Sequence, residues 1–215
     1  MPLKYTEQDC AMTPMIDEPD WLALNNEMPI QQVVERIEIL NANLARFWSA
    51  AHGWAPLEAA GLLSKSRLDW QVSLSASLRL WLREPPDSLS DGELILAWAN
   101  LGSLIEGTLK LLLSVYYNDF RKDVDNLKLA GAYDKKKKAP LPPDGLTLEP
   151  LRRYVLARAL IGSSGDTLVK HVQDRRNAIH AFKDRPIGDG AEFQAALRNY
   201  LEMLSAIGER LPYPD

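Results

Sequence analysis

Apolar residues recur at steps of three and four positions along most of this 215-residue chain, and this spacing constrains the fold more than any other feature. An α-helix has 3.6 residues per turn, so residues at this spacing share one face of a helix. The longest such pattern runs from 91 to 120 and predicts a central helix. Together the patterns predict an all-α fold, a helical bundle with helices over 31–51, 56–63, 68–82, 91–120, 149–161, 166–182 and 190–210.

The segment 68–82 also fits a β-strand, because every second residue from Leu68 to Leu82 is apolar, as on one face of a strand. A strand of this length would be unusual, no turn residue splits the segment, and Ser66 is available to cap a helix. We therefore predict a helix here. The six tryptophans of the chain fall mostly on apolar stripes, so we expect them in the core rather than as stacking platforms for nucleic-acid bases.

Gly102 and Gly107 lie in the interior of the predicted 91–120 helix. Each destabilises a helix interior by roughly 1 kcal/mol relative to alanine. A close approach by the backbone of another element would explain both glycines.

Proline and charge divide the chain into one domain with appendages. Residues 1–28 contain three prolines and no steady apolar period, which predicts an irregular N-terminal arm. We predict that residues 29–215 form a single helical domain with one core, because the length of the chain does not require a second domain. Within this domain, four lysines and several prolines at 134–147 predict an exposed loop that cannot fold on itself.

The composition excludes several functional classes. The chain has 25 Lys and Arg against 29 Asp and Glu, a net charge of -4, so any contact with RNA must be local. Cys10 is the only cysteine and there are three histidines, which disfavours a zinc site, and no glycine-rich phosphate loop is present. No apolar run is long enough to span a membrane, and the N-terminus lacks the pattern of a secretory signal. We therefore expect a cytoplasmic protein without a cofactor and without membrane contact.

The segment that most suggests chemistry is 174–182, with the sequence DRRNAIHAF. Arg175 precedes His180 with four residues between them, and Arg176 and Asn177 directly follow Arg175. On a helical wheel Arg176 and His180 lie about 40° apart, whereas Arg175 falls beside apolar positions. We therefore expect Arg175 to point toward the core or a partner subunit and to be paired there.

This segment resembles the signature of the HEPN superfamily (higher eukaryotes and prokaryotes nucleotide-binding domain), in which an arginine and a polar residue precede a histidine near the end of a helix. The spacing of the signature fits Arg175, but the commoner Arg-Asn pair occurs as Arg176 and Asn177, so either arginine can be the functional one. The resemblance implies an all-α bundle that forms homodimers in which two motifs face one cleft. It also implies RNA as the substrate and cleavage without a metal.

In the implied reaction, the ribose 2'-hydroxyl attacks the adjacent phosphorus, His180 acts as general base or acid, and an arginine stabilises the developing charge. The products carry 2',3'-cyclic phosphate and 5'-hydroxyl ends. Glu106 and Lys110, one turn apart, resemble an acid-and-base pair of some HEPN proteins, and we predict that Glu106 pairs with an arginine. Asn177 is expected to support the site. Phe182 replaces a tyrosine that is nucleotidylated in some members, so this form of regulation is not expected.

The resemblance further implies a toxin or anti-phage effector, with an antitoxin or another defence protein as partner. The main alternative is a catalytically inactive HEPN module that binds RNA, a nucleotide or a protein through the same cleft. The other is a structural dimerisation protein, which predicts that Arg175, Arg176 and His180 lie apart from any shared pocket. His171 is expected to be solvent-exposed.

Overall fold

The computed structural model describes residues 27–52, 55–180 and 184–212. Within these ranges the chain is all-α with one short β-ribbon, which confirms the predicted fold class, and no helix is long and apolar enough to cross a membrane. The predicted arm, residues 1–28, lies outside the described residues except for its last two. The elements are α1 (Ile30–Trp48), α2 (Leu57–Leu63), α3 (Leu68–Ser77), α4 (Asp91–Val115), α5 (Tyr117–Lys122), α6 (Val124–Ala130), β1 (Tyr133–Asp134), β2 (Ala139–Pro140), α7 (Leu148–Ala157), α8 (Ser163–Arg176) and α9 (Gly190–Arg210).

Helix α4 is the centre of the packing, as its apolar pattern predicts. It contacts α2, α3, α7, α8 and α9, while α1 packs across α3 and α9. The core residues of α4 include Trp98, Leu101, Leu104 and Ile105, all fully buried. Ser90 caps the N-terminus of α4 and exchanges hydrogen bonds with Glu93, whose carboxylate accepts from the Ser90 backbone N–H at 2.9 Å.

Several helix boundaries differ from the predictions. The predicted 91–120 helix is two helices, because Tyr116 leaves the helical conformation (φ -94°, ψ 34°). Ser66 does not cap α3, since its hydroxyl donates to the Leu63 carbonyl at 2.5 Å and Arg67 is the N-cap residue. The predicted 149–161 helix ends earlier, at Ala157, and α8 begins before Asp166, at Ser163.

Helix α3 confirms the helical interpretation of the ambiguous segment, although residues Leu78–Trp81 continue as a 3₁₀ turn. An alternating pattern wound into a helix places apolar side chains on all sides. Trp70 and Leu80 are consequently 59% and 58% exposed. The expectation that the tryptophans lie in the core is therefore wrong for Trp70.

Gly102 and Gly107 of α4 make room for side chains rather than for a backbone, contrary to the prediction. A Cβ at Gly107 would lie 2.2 Å from Oε1 of Gln71, and a Cβ at Gly102 would lie 2.6 Å from Cδ of Arg176. The buried Gln71 amide donates to the Leu104 carbonyl at 2.8 Å and to Thr108 Oγ1 at 3.2 Å. Gln71 thereby fixes α3 against α4.

The lysine-rich segment folds into a β-hairpin. Strands β1 and β2 pair antiparallel, with Tyr133 opposite Pro140. The Asp134 carboxylate accepts from the backbone N–H groups of Lys136 and Lys137 at 2.8 Å and 3.0 Å, which orders the turn. The four lysines are exposed, as expected, but the prediction that this segment cannot fold on itself is wrong.

Candidate functional site

A groove of about 440 Å³ lies where the C-terminal end of α8 meets α4 and the start of α7. It contains three of the residues predicted from the 174–182 segment, Arg176, Asn177 and His180. Arg175 is not among its lining residues. The groove is lined by Ala99 and Ser103 of α4, by Thr147, Leu148 and Glu149 at the start of α7, and by Gln173, Arg176, Asn177, Ile179 and His180.

The position of Arg176 is set by an ion-pair chain across α4. Its Nη1 donates to Glu106 Oε2 at 2.9 Å, and Lys110 Nζ donates to the other oxygen of the same carboxylate, also at 2.9 Å. Burial acts to raise the pKa of Glu106, but the hydrogen bonds and charges of Lys110 and Arg176 outweigh it and lower this pKa. The prediction that Glu106 pairs with an arginine is confirmed, and that arginine is Arg176.

The absence of a side chain at Gly102 allows this geometry. The aliphatic part of Arg176 passes over Gly102, so close that an added Cβ would lie 2.6 Å from its Cδ. Real Cβ atoms do not approach another carbon this closely, so Arg176 would have to move if Gly102 carried a side chain. Gly102 has a low helix propensity, but its lack of a side chain lets Arg176 reach its place beside α4.

Arg175 points to the other side of α8, toward α9. Its Nε donates to Glu192 Oε1 at 2.7 Å, and its Nη1 donates to the Pro186 carbonyl at 2.8 Å. His171 contacts the same Glu192 oxygen through Nε2 at 2.8 Å, with its side chain 34% exposed. The expectation that His171 is solvated is therefore wrong, and Arg175 is paired within the chain. Arg175 thereby ties α8 to the Pro186 carbonyl, and both Arg175 and His171 tie α8 to Glu192 of α9.

His180 lies just beyond α8, which ends at Arg176 and continues as a 3₁₀ turn over Asn177–Ile179. The backbone N–H of His180 donates to the Asn177 carbonyl at 3.3 Å, and the residue is exposed. The 3₁₀ turn, and not one continuous helix face, therefore places His180 in the same groove as Arg176. Phe182 lies outside the described residues.

Glu149 forms the acidic part of the groove wall, and sequence reasoning did not single it out. Its carboxylate accepts from Arg152 Nε at 3.1 Å and from Arg153 Nε at 2.6 Å. The hydrogen bond from Arg152 is the main cause of its lowered pKa, ahead of the opposing effect of burial. The spacing of Glu149 from both arginines, three and four residues, was the available signal. Because Arg152 and Arg153 bind its carboxylate, Glu149 adds little negative charge to the groove.

Comparisons of the chain with protein-family models, with curated proteins and with solved structures gave no match. Within the described part of the chain, His, Cys, Asp and Glu side chains do not gather in a group of three that could hold a metal ion. The groove is lined by the guanidinium of Arg176, the exposed imidazole of His180 and the amide side chains of Gln173 and Asn177. Such a set can bind a phosphate and move a proton.

Proposed function

We propose that this chain is a metal-independent endoribonuclease of the HEPN type, which acts as a cytoplasmic homodimer and has its catalytic centre in the groove of Arg176 and His180. One observation carries the proposal. The arginine and the histidine of the recognised segment line the same groove, although the helix between them ends. The structural alternative predicted that these residues lie apart from any shared pocket, and for Arg176 and His180 that prediction is wrong.

The groove supplies the groups that the reaction needs. His180 takes the proton of the ribose 2'-hydroxyl, and the oxygen attacks the adjacent phosphorus. The bond from phosphorus to the 5'-oxygen breaks, and a protonated imidazole, from either subunit of the dimer, gives that oxygen a proton. Arg176 donates to the phosphorane oxygens, where negative charge accumulates. The products are a 2',3'-cyclic phosphate and a 5'-hydroxyl.

Arg176 is the functional arginine in this proposal. A guanidinium carries five N–H donors, so the bond from Nη1 to Glu106 leaves donors for phosphate oxygens. Glu106 and Lys110 position Arg176, and Asn177 presents an amide to the same groove. Arg175 has a supporting role, because Glu192 and the Pro186 carbonyl hold its guanidinium.

A second candidate function is a catalytically inactive HEPN module that binds RNA, a nucleotide or a protein partner. The ion pair with Glu106 favours it, because this carboxylate already offsets part of the charge of Arg176. Both candidates use the same groove and differ only in whether a bond is broken. A role as a toxin or anti-phage effector with an antitoxin or defence partner belongs to the first candidate and rests on the family resemblance alone.

The proposal is tested by incubating the purified protein with labelled single-stranded RNA and tRNA in EDTA. We expect fragments with 2',3'-cyclic phosphate and 5'-hydroxyl ends, while DNA of the same sequence stays intact because it lacks the attacking hydroxyl. The same preparation is checked for its fold and for its dimeric state. RNA that is bound but not cut would select the inactive module instead.

A Gly102→Ala substitution is expected to lower the rate of RNA cleavage by about 10- to 100-fold, because the new Cβ displaces Arg176 from its position beside Glu106. The free energy of unfolding should change little, because the higher helix propensity of alanine offsets the steric cost of its Cβ against Arg176. Cleavage kinetics and urea unfolding measure the two quantities separately.

Gly208→Ala is the matched control. Gly208 also lies in a helix, α9, but a Cβ there would meet no atom within 4 Å. This variant should gain about 0.5 to 1 kcal/mol of stability with unchanged cleavage. Equal cleavage rates in both variants would contradict the placement of Arg176 in the catalytic centre.

A further inference from the structure

A second pocket, also of about 440 Å³, lies beside the groove and has no role in the proposed reaction. We call it the Trp70 pocket. It opens between the turn that joins α2 to α3 and the C-terminal half of α4. The polar and aromatic side chains of its wall include Lys65, Arg67, Trp70, Gln71, Lys110 and Asp144.

Trp70 presents a ring face that accepts a planar group. The side chain is 59% exposed, which is unusual for the largest aromatic residue in a chain whose Trp48 and Trp98 are buried. The Arg67 guanidinium stacks on the ring, with its Cζ 3.9 Å from the ring centroid. Asp69 holds this guanidinium through two hydrogen bonds, of 2.8 Å and 2.6 Å. Arg67 therefore covers one face of the Trp70 ring, and the exposure of the side chain leaves the rest of the ring open to solvent.

Hydrogen bonds between α3 and α4 hold the wall of the Trp70 pocket in place. Gln71 follows Trp70 in α3 and is buried, and its amide bonds to the Leu104 carbonyl and to Thr108 of α4. Gly107 leaves the space that the Gln71 amide occupies. Trp70 therefore stands at a fixed place relative to α4.

The Trp70 pocket and the groove are neighbours along α4. Ser103 lines the groove and Lys110 lines the Trp70 pocket, and seven residues of helix separate their Cα atoms by about 10 Å along the axis. Glu106 lies between them and binds Arg176 on one side and Lys110 on the other. Cationic side chains thus continue from the groove, through Lys110, to the pocket wall at Lys65 and Arg67.

We propose that the Trp70 pocket binds a nucleotide of single-stranded RNA next to the bond that is cleaved, with its base stacked on Trp70 and its phosphate held by Lys65 and Lys110. This inference rests on the proposed function and adds a substrate subsite to it. Aromatic faces combined with cations along the backbone are the usual means of holding single strands, because every base has a face that can stack. A bound phosphate competes with carboxylates for the cations of the pocket, because Asp69 already pairs with Arg67 and Glu106 with Lys110. Asp144 is a further carboxylate on the wall.

The test is the binding of a short, fluorescently labelled RNA that is 2'-O-methylated throughout and therefore cannot be cleaved, measured by anisotropy on the 215-residue chain. Trp70→Ala is expected to weaken binding between about 5- and 100-fold. Trp70→Phe, which keeps an aromatic face, should stay within about threefold of the wild type. Lys65→Ala should reduce the slope of log affinity against log salt concentration by about 0.7.

Two substitutions elsewhere serve as controls, Leu129→Ala for an exposed apolar side chain and Arg36→Ala for an exposed cation. Neither should change the affinity. Unchanged binding by Trp70→Ala and Lys65→Ala, or no binding by the wild type, would overturn the subsite.

Failure of the subsite and failure of the proposed function give different results. If the proposed function alone fails, the protein binds the methylated RNA in a Trp70-dependent way but cuts no natural RNA. If the subsite alone fails, natural RNA is cut in a His180-dependent way while Trp70→Ala binds and cuts like the wild type.

Discussion

Replacement of Arg176 by alanine is expected to lower the rate of RNA cleavage by about 100- to 1000-fold, the usual loss when one donor to a developing oxyanion is removed. Arg176 lines the groove with His180 and is held by Glu106. The fold should persist, because the side chain is about one-third exposed and its loss leaves Glu106 with Lys110 as a partner. Single-turnover cleavage with saturating enzyme measures the effect.

The neighbouring Arg175→Ala variant is the control, and we expect the opposite pattern from it. Arg175 bonds Glu192 and the Pro186 carbonyl, so its removal should lower the free energy of unfolding by about 1 to 3 kcal/mol. Cleavage by the folded fraction should remain within about threefold of the wild type. An Arg175→Ala protein that is stable but inactive, beside an active Arg176→Ala protein, would reverse the assignment of the two arginines.

The sequence predicted most helices because their apolar spacing is regular, and it failed where other forces set the structure. Four consecutive lysines and several prolines predicted that residues 134–147 do not fold on themselves. The Asp134 carboxylate nevertheless accepts two backbone hydrogen bonds and orders the turn of a β-hairpin there. Such an interaction depends on the path of the backbone, which composition does not contain. The break at Tyr116 likewise has no composition signal, because tyrosine continues the apolar stripe.

For the candidate site, the helical wheel separated Arg176 and His180 from Arg175, and the structure separates them in the same way. The wheel assumed one continuous helix, whereas α8 ends at Arg176 and a 3₁₀ turn brings His180 to the groove. The partner of Arg175 could not be predicted, because Glu192 belongs to α9 and reaches α8 only through tertiary packing.

The role of Gly102 and the exposure of Trp70 depend on tertiary packing, which the sequence indicates only in part. A glycine in a helix signals a close approach, but the approaching group, here the stem of Arg176, is known only once α8 lies on α4. For Trp70, the alternating pattern of α3 contained the necessary hint. A helix with that pattern must expose some of its large apolar residues, and the choice among them is made by the packing of Gln71.

The second large effect is expected for His180→Ala, which should lower the rate of RNA cleavage by about 100- to 10,000-fold through the loss of a general acid and base. The side chain is exposed and follows a 3₁₀ turn, so its removal leaves no cavity and the stability should stay within about 0.5 kcal/mol. His52, an exposed histidine four residues after the end of α1, offers a matched control.

The most direct test of the catalytic groove is therefore the initial rate of RNA cleavage in EDTA by the wild type, His180→Ala and His52→Ala, each shown to be folded and in the same oligomeric state. We predict equal rates for the wild type and His52→Ala, and a rate at least about 100-fold lower for His180→Ala. Cleavage by His180→Ala at the wild-type rate would show that the groove of Arg176 and His180 is not the catalytic centre.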